Sequence, residues 1–111
     1  MLKDTIAFPD FVKLDLRVGT IVDAESVLGS ERLVKLEVDF GQEVGKRQII
    51  AGISLQYSVD KLLNLQVVGI VNLQPKKMMG MDSQGMLLAA GDETIALLTP
   101  DKPIENGTIV R

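Results

Sequence analysis

Three early segments of the chain are predicted strands, and the first two alternate apolar and polar residues with the period of two that is typical of half-buried strands. They span 14–24, 33–40 and 47–53. In the second segment the apolar positions are Val34, Leu36, Val38 and Phe40, and the positions between them are charged. The alternation predicts that the first two strands each place one face in a core.

The first of these strands is long, and Gly19 interrupts it. A glycine inside a strand often marks a bend or a bulge. We therefore expect a bend or bulge at Gly19 that lets this one strand serve both halves of a closed sheet.

The hydrophobic pattern changes in the middle of the chain. Four apolar residues share one face of a predicted helix: Leu55, Val59, Leu62 and Leu63. Ser58 is a candidate cap of that helix. The almost entirely apolar segment 65–73 then predicts a strand buried on both faces. Segments 85–90 and 94–99 flank Gly-Asp-Glu and predict a hairpin.

The predicted order is three strands, a short helix and two more strands, followed by a tail. This is the order of the OB-fold, an all-β, five-stranded barrel with its helix between strands three and four. A different small barrel is the structural alternative. Since 111 residues suit a single domain, we expect one domain over 1–111, with 100–111 as a C-terminal extension.

The composition excludes several kinds of chemistry. The sequence has no Cys, His or Trp, so disulfides, thiol or imidazole catalysis and ordinary zinc sites cannot be built from it. Carboxylates such as Asp15 and Asp39 could in principle share a catalytic site, but they fit ordinary surface acids on polar strand faces better. We expect a non-catalytic protein with no cofactor and no metal.

The net charge limits the kind of ligand. The chain carries 12 basic and 15 acidic residues, a net charge of −3, whereas most nucleic-acid-binding domains are basic. Nucleic-acid binding would therefore have to rest on a local basic patch. No apolar run reaches the roughly 18 residues of a membrane-spanning helix, and the N-terminus lacks a signal peptide's apolar stretch. These features predict a cytoplasmic protein with no membrane partner.

The segment 72–86 carries the most unusual set of side chains. Lys76 and Lys77 are adjacent and lie between Pro75 and Gly80, and four of the five methionines fall within this segment. Its polar residues include Asn72, Ser83 and Gln84. Lysines contact phosphates, amides and hydroxyls bind base edges or ribose, and methionine adapts to irregular apolar shapes. The alternative is a solvated turn whose methionines fill the core.

Three parts of the sequence resemble the tRNA-binding domain family. They are 11–19 (FVKLDLRVG), 51–53 (AGI) and the segment 72–86, and the similarity extends over nearly the whole chain from about Phe11. The family includes C-terminal domains of methionyl-tRNA synthetases, free-standing structure-specific tRNA-binding proteins and the export-related chaperone CsaA. The resemblance implies an OB-fold barrel, a homodimer formed partly through the C-terminal extension, and tRNA binding by shape rather than sequence.

The resemblance also implies specific contact residues. Those for nucleic acid are Lys35, Asn72, Lys76, Lys77, Ser83, Gln84 and Met86. Gln74 and Met79 depart from the family, because many relatives carry Lys or Arg there, and the loss of two charges predicts weaker or more selective binding. Ile104, Ile109 and Val110 are the expected dimer contacts. In the alternative, the tail folds back on its own barrel.

Two branches of the family fit the sequence. The intact Ser83–Met86 sequence favours the tRNA-binding branch, either free-standing or as part of methionyl-tRNA synthetase, which would then be a partner. The methionine cluster favours the alternative, a CsaA-like chaperone that binds unfolded or export-bound polypeptides. Outside the segment 72–86, Arg17 is expected to pair with an acid and hold the barrel together. Lys46 and Arg47 suit a solvated strand start better than a phosphate clamp.

Overall fold

A computed structural model describes all 111 residues. The strands are β1 (Leu16–Ser26), β2 (Val34–Asp39), β3 (Lys46–Ala51), β4 (Gln66–Ile70), β5 (Lys76–Met78), β6 (Met81–Ser83), β7 (Met86–Leu87), β8 (Ala89–Ala90) and β9 (Ala96–Leu97). The helices are α1 (Phe8–Val12), α2 (Gly41–Val44) and α3 (Val59–Leu62). Each helix has four or five residues, and none has the length and apolar character needed to cross a membrane.

Five strands form one antiparallel sheet in the order β3-β2-β1-β4-β7. Strand β1 is central: its first part, from Leu16 to Thr20, pairs with β4, and the rest, from Thr20 to Ser26, pairs with β2. The sheet curls into a nearly closed barrel, and α3 lies between its third and fourth strands. The predicted OB-fold class is therefore confirmed, and so is the role of β1 in both halves of the sheet.

The irregularity in β1 lies at a different residue from the one predicted. The register against β2 shifts between Ile21 and Asp23, not at Gly19, which pairs normally with β4. Packing explains the glycine instead. A Cβ atom at Gly19 would lie 2.7 Å from the Phe40 ring, and one at Gly69 on the neighbouring strand would lie 2.8 Å from it. The two glycines make room for this ring in the core.

The core follows the predicted alternation of β2. Val34, Leu36, Val38 and Phe40 are each at most 1% exposed. They pack with residues of β1, β3, β4 and α3 in one cluster, which includes Ile21, Ile49, Leu62 and Val67. Burial of this single apolar face stabilises the barrel and leaves the opposite face of β2 to charged residues.

Several predicted elements are shorter than expected. The helix covers only Val59–Leu62, and the Ser58 side chain does not cap it. Leu55 is 67% exposed because it lies in the turn before the helix rather than on the helix's buried face. The predicted strand 65–73 ends at Ile70. The predicted hairpin is present as β8 paired with β9.

The C-terminal tail lies along the edge of β1. Val18 N–H donates to the Thr108 carbonyl at 3.0 Å, and the Val18 carbonyl accepts from Gly107 N–H at 2.8 Å. Val110 N–H donates to the Leu16 carbonyl at 2.8 Å. The tail thus folds back on its own barrel, as in the alternative weighed for it, yet Ile104 and Ile109 remain 44% and 59% exposed.

Candidate nucleic-acid interface

The segment predicted as a binding loop folds as a small β-hairpin. The paired positions of β5 and β6 are Lys76 with Ser83, Lys77 with Asp82 and Met78 with Met81. The turn between them has two residues, Met79 and Gly80, with φ values of 52° and 79°. Two positive φ values are the mark of a type I′ turn, whose twist matches that of the flanking strands. The hairpin projects between β4 and β7, with both lysines on β5.

Hydrogen bonds attach the hairpin to β3 at the open seam of the barrel. The Gln84 N–H donates to the Gln48 carbonyl at 2.7 Å, and the Gln48 N–H donates to Gln84 Oε1 at 2.9 Å. The Gln48 side chain also donates to the Asp82 carbonyl at 2.9 Å. Gln84 is exposed, but its amide oxygen already serves this attachment.

Ser83 is the buried member of the predicted site, at 5% exposure. Its hydroxyl accepts from Ile50 N–H at 3.0 Å and is 3.2 Å from the Gly85 carbonyl, to which it donates. Arg47 reinforces the same junction, because its Nη1 donates to the carbonyls of Val71 and Gln84 at 3.0 and 3.1 Å. Arg47 is therefore engaged with the backbone rather than standing free as a solvated strand start.

Asn72 connects the end of β4 to the chain that precedes β1. Its Oδ1 accepts from Asp15 N–H at 2.9 Å, and its Nδ2 donates to the Lys13 carbonyl at 2.7 Å. Both ends of the side-chain amide are thus occupied within the protein. This arrangement sets the direction in which the chain leaves β4 toward the hairpin.

The three predicted lysines differ in their ionic partners. Lys77 Nζ lies 3.1 Å from Asp82 Oδ1, directly across the hairpin, and the two side chains are 74% and 58% exposed. Lys35 Nζ lies 3.3 Å from Glu25 Oε2, directly across β1 and β2. Lys76 is exposed and forms no ion pair. Two of the three amines are therefore shared with acids, at the surface rather than inside the protein.

The methionines are distributed over two separate depressions. Met79 and Met81 line a cleft with Lys35, so the structure brings Lys35 and the hairpin tip together. Met86 is 48% exposed and lines a different, largely apolar groove with Ile50, among others. The predicted site residues are thus spread over a cationic hairpin and its supports, a cleft at the hairpin tip and a groove beside β7.

Arg17 lines neither of the two depressions and has the structural role predicted for it. It donates from Nε to Asp15 Oδ1 at 2.6 Å, from Nη2 to Glu43 Oε1 at 2.9 Å and from Nη1 to the Gly107 carbonyl at 3.2 Å. The hydrogen bonds to Asp15, and next to Glu43, raise the pKa of Arg17 further above its ordinary alkaline value. Arg17 joins β1, α2 and the tail.

Sequence reasoning missed the contribution of Gln48, Arg47 and Leu28 to this region. Gln48 and Arg47 lie on β3, distant in sequence from the hairpin that they support. Leu28 lies in the β1–β2 connection and lines the cleft with Met79. Of these three residues only Arg47 has a signal in the sequence, because it stands beside Lys46 and two adjacent cations are one pattern of a phosphate site.

A five-stranded OB-fold barrel whose connection before the last barrel strand carries exposed cations belongs to a class of proteins that bind oligonucleotides and oligosaccharides. The family described as a putative tRNA binding domain matches residues 16–109. The chain belongs to that family. Membership confirms the resemblance seen in the sequence.

The curated proteins similar to this chain include methionine–tRNA ligases from two prokaryotes. The chain is 52% identical over 107 residues to the ligase of Thermococcus onnurineus and 48% identical over 106 residues to that of Caldanaerobacter subterraneus subsp. tengcongensis. These alignments cover 96% and 95% of this chain but only 14% and 16% of the ligases. The chain thus spans about one-seventh of the length of these relatives.

Solved structures of similar size match the chain from end to end. The chaperone CsaA of Bacillus anthracis superposes with a TM-score of 0.89 at 35% identity, over 97% of this chain and 100% of CsaA. The MetRS-related protein of Pyrococcus horikoshii superposes with a TM-score of 0.90 at 32% identity, over 98% of this chain and 100% of that protein. Both named branches of the resemblance are therefore close structural neighbours.

Proposed function

We propose that this domain binds tRNA, by its folded shape and with tolerance of sequence, through the β5–β6 hairpin. The observation that carries the proposal is the exposed cationic hairpin in a chain of the tRNA-binding family, since the net charge of −3 gives no general attraction for RNA. Lys76 and Lys77 contact backbone phosphates, which carry no sequence information. The domain supplies binding and not catalysis.

The ion pairs of Lys77 and Lys35 do not prevent such contacts. An exposed lysine–carboxylate pair contributes only about 0.2–1 kcal/mol, so a phosphate can replace the carboxylate at small cost. Lys76 has no such competitor and meets a phosphate directly. We therefore rank Lys76 first, Lys77 second and Lys35 third as cationic contacts.

The neutral residues of the predicted site divide into supports and contacts. Asn72, Ser83 and Gln84 use their side chains to hold the protein backbone, so we assign them to positioning the hairpin rather than to gripping RNA. The Met86 side chain is half-exposed and, unlike these three, does not hold the protein backbone, so we assign it to packing on a ribose or base. This division keeps all the predicted residues in the site but changes how three of them act.

A filter-binding or gel-shift titration with folded tRNA tests the proposal. The variant Lys76→Ala/Lys77→Ala should bind more weakly and should show a salt slope lower by about 0.7–0.9 for each phosphate that is no longer bound. The matched control is Lys13→Ala/Lys61→Ala, which changes the net charge equally. It removes one exposed lysine at the C-terminal end of α1 and one on α3. Equal affinities for the two double variants would contradict the proposal.

The domain is further proposed to work as a homodimer. Ile104 and Ile109 are apolar and remain exposed although the tail is ordered on β1, and Val110 next to them is half-buried. A second copy that covers them would also place two hairpins on one RNA and raise avidity without a new type of contact. Sedimentation should show a dimer that Ile109→Lys converts to a monomer; a wild-type monomer at micromolar concentration would contradict this step.

The synthetase relatives suggest how the bound tRNA is used. We propose that the domain delivers tRNA to a methionyl-tRNA synthetase, either as part of the same chain or as a separate partner. The support is 52% identity to a segment of such a ligase. Aminoacylation by the synthetase with and without this domain tests the idea: the domain should lower the KM for tRNA and leave kcat unchanged. An unchanged KM would contradict it.

A second candidate function is binding of unfolded polypeptides, as in the chaperone branch. The favouring observation is the apolar groove at Met86, together with the end-to-end match to CsaA. Suppression of aggregation of an unfolded client, abolished in Met86→Lys, would support this function. No suppression at molar excess of the protein would rule it out.

A further inference from the structure

A small cleft opens between the hairpin tip and the β1–β2 connection. Its volume is about 330 Å³, within the lower range of ligand-binding pockets. The lining residues come from the end of β1, the loop after it, β2 and the hairpin: Glu25, Ser26, Val27, Leu28, Lys35, Met79 and Met81. In OB-folds this pair of connections is a common place for ligand binding.

One wall of the cleft is apolar and lacks an internal partner. Leu28 is 99% exposed and Met79 is 58% exposed. A Cβ atom at Gly29 would lie 3.6 Å from Met79 Cε, so the loop and the hairpin tip approach each other closely. Met79 also holds a φ of 52°, in the left-handed backbone region that is unfavourable for a residue with a side chain. The Met79 side chain is thus held at the hairpin tip by an unfavourable backbone conformation.

The other wall is polar but neutral overall. Lys35 Nζ and Glu25 Oε2 lie 3.3 Å apart, so the pair presents a donor beside an acceptor with no net charge. A phosphate would be attracted by Lys35 and repelled by Glu25. A nucleobase suits both walls, because its face is apolar and its edge carries donors and acceptors side by side.

We propose that this cleft holds one unstacked nucleobase of the bound RNA, with its face on Met79 and Leu28 and its edge at Glu25 and Lys35. The inference rests on the proposed function and adds a subsite to it. Lys76 lies three residues from Met79, on the strand that leads to the tip. It binds the RNA phosphate backbone next to this base. Stacking of this kind tolerates any base, since every base has a flat face.

The polar wall favours a base over an apolar peptide side chain. Such a side chain would cover the Glu25–Lys35 pair without offering it hydrogen bonds, and burial of charged groups without new partners is costly. A base edge replaces the hydrogen bonds that water made to the pair.

Methyl resonances of the full chain labelled with [ε-13C]methionine test the proposal directly. The protein has five methionines, including Met1 far from the hairpin in sequence, which serves as the internal reference. On addition of a short single-stranded RNA, ring currents of a stacked base should shift the Met79 and Met81 signals upfield and leave Met1 in place. Bound RNA without shifts of these two signals would overturn the proposal.

A variant pair gives the second test. Leu28→Ala/Met79→Ala should lower the affinity for an RNA hairpin with an unpaired loop about tenfold, and should leave the affinity for a blunt duplex of equal charge unchanged. The control is Leu55→Ala/Leu98→Ala, which removes exposed leucines outside the cleft. An equal loss of affinity for both RNAs, or no loss for either, would overturn the proposal.

The outcomes separate the cleft from the proposed function. If the cleft tests fail while tRNA binding still depends on Lys76, only the base subsite is wrong. If the wild type binds no RNA, both the proposed function and the base subsite are wrong. If an apolar peptide, but no RNA, shifts the Met79 signal, the occupant is a polypeptide and the nucleobase proposal is overturned.

Discussion

Arg17 and Lys76 are both cations on strands of the same barrel, but their surroundings are opposite. The Arg17 side chain is 12% exposed and binds two carboxylates and a carbonyl. Lys76 is exposed and has no ionic partner. A charge that is mostly buried and held by several hydrogen bonds stabilises the fold, because its removal leaves its partners unpaired. A charge without partners remains available to a ligand.

Lys77 and Lys35 lie between these two extremes. Each has one carboxylate partner, and each pair lies at the surface. Surface pairs contribute little to stability, so these lysines resemble Lys76 more than Arg17. The comparison therefore predicts that stability and RNA binding respond to different substitutions, in a definite order of size.

The largest expected effect is on stability, from Arg17→Met. The substitution keeps the apolar stem but removes the hydrogen bonds to Asp15, Glu43 and the Gly107 carbonyl. We expect the free energy of unfolding to fall by about 2–3 kcal/mol, measured by urea denaturation. Since the pKa of Arg17 is raised, its guanidinium stays charged throughout the neutral range, and this stabilisation is lost as the pH rises above the ordinary arginine pKa. The destabilisation should thus be the same throughout the neutral range.

The control for that experiment is Lys13→Met. Lys13 pairs with Asp10 at 3.3 Å, but both side chains are at least half exposed. The change in unfolding free energy should stay within about 0.5 kcal/mol. If the two variants are destabilised equally, the contrast between enclosed and exposed cations does not hold.

The next effect is also on stability, but it arises within the proposed RNA site. Ser83→Ala leaves the buried Ile50 N–H without its acceptor, which should cost about 1–2 kcal/mol in unfolding free energy. Ser58→Ala is the matched control, since the Ser58 side chain makes no capping hydrogen bond. A Ser83 variant of unchanged stability and greatly weakened tRNA binding would instead make Ser83 a direct RNA contact.

The third effect is on binding alone. Lys76→Ala should weaken tRNA binding several-fold, lower the salt slope by about 0.7–0.9 and leave the unfolding free energy unchanged. Lys77→Ala should have the smaller effect, because Lys77 must first leave Asp82. Titrations at several salt concentrations distinguish the two. The reverse order would show that the ion pair positions Lys77 for RNA rather than competing with it.

The sequence pattern predicted the features that depend on local alternation. The buried face of β2 follows from the period of two in that segment, and the structure confirms it. The order of three strands, a short helix and a fourth strand follows from the succession of apolar patterns along the chain, and the structure confirms it as well. The pairing of Arg17 with an acid was predicted as well, because a charge between two buried strand residues needs a partner. The particular acid on α2, Glu43, is 26 residues away and has no local signal.

Features that depend on contacts between distant segments could not be read from the pattern. Gly19 fits beneath Phe40, and this packing exists only after β1, β2 and β4 have joined. The hairpin at 76–83 was predicted as a loop, because its turn places Met79 at a positive φ instead of the usual Asn or Gly. The use of Ser83 and Gln84 as supports likewise depends on β3, which lies more than 30 residues earlier.

The smallest expected effect probes the intermediate lysine. Asp82→Asn removes the carboxylate that faces Lys77 across the hairpin and preserves the backbone carbonyl to which Gln48 donates. We expect tRNA binding to tighten about two- to threefold, as the energy of an exposed pair permits, and unfolding free energy to change by less than about 0.5 kcal/mol. Asp60→Asn alters the net charge equally on α3, away from the hairpin, and serves as the control. If both variants tighten binding to the same degree, Asp82 acts only through the overall charge of the molecule. If Asp82→Asn alone tightens it, the carboxylate competes with phosphate for Lys77, and the affinity of the hairpin is set by its acids as well as by its lysines.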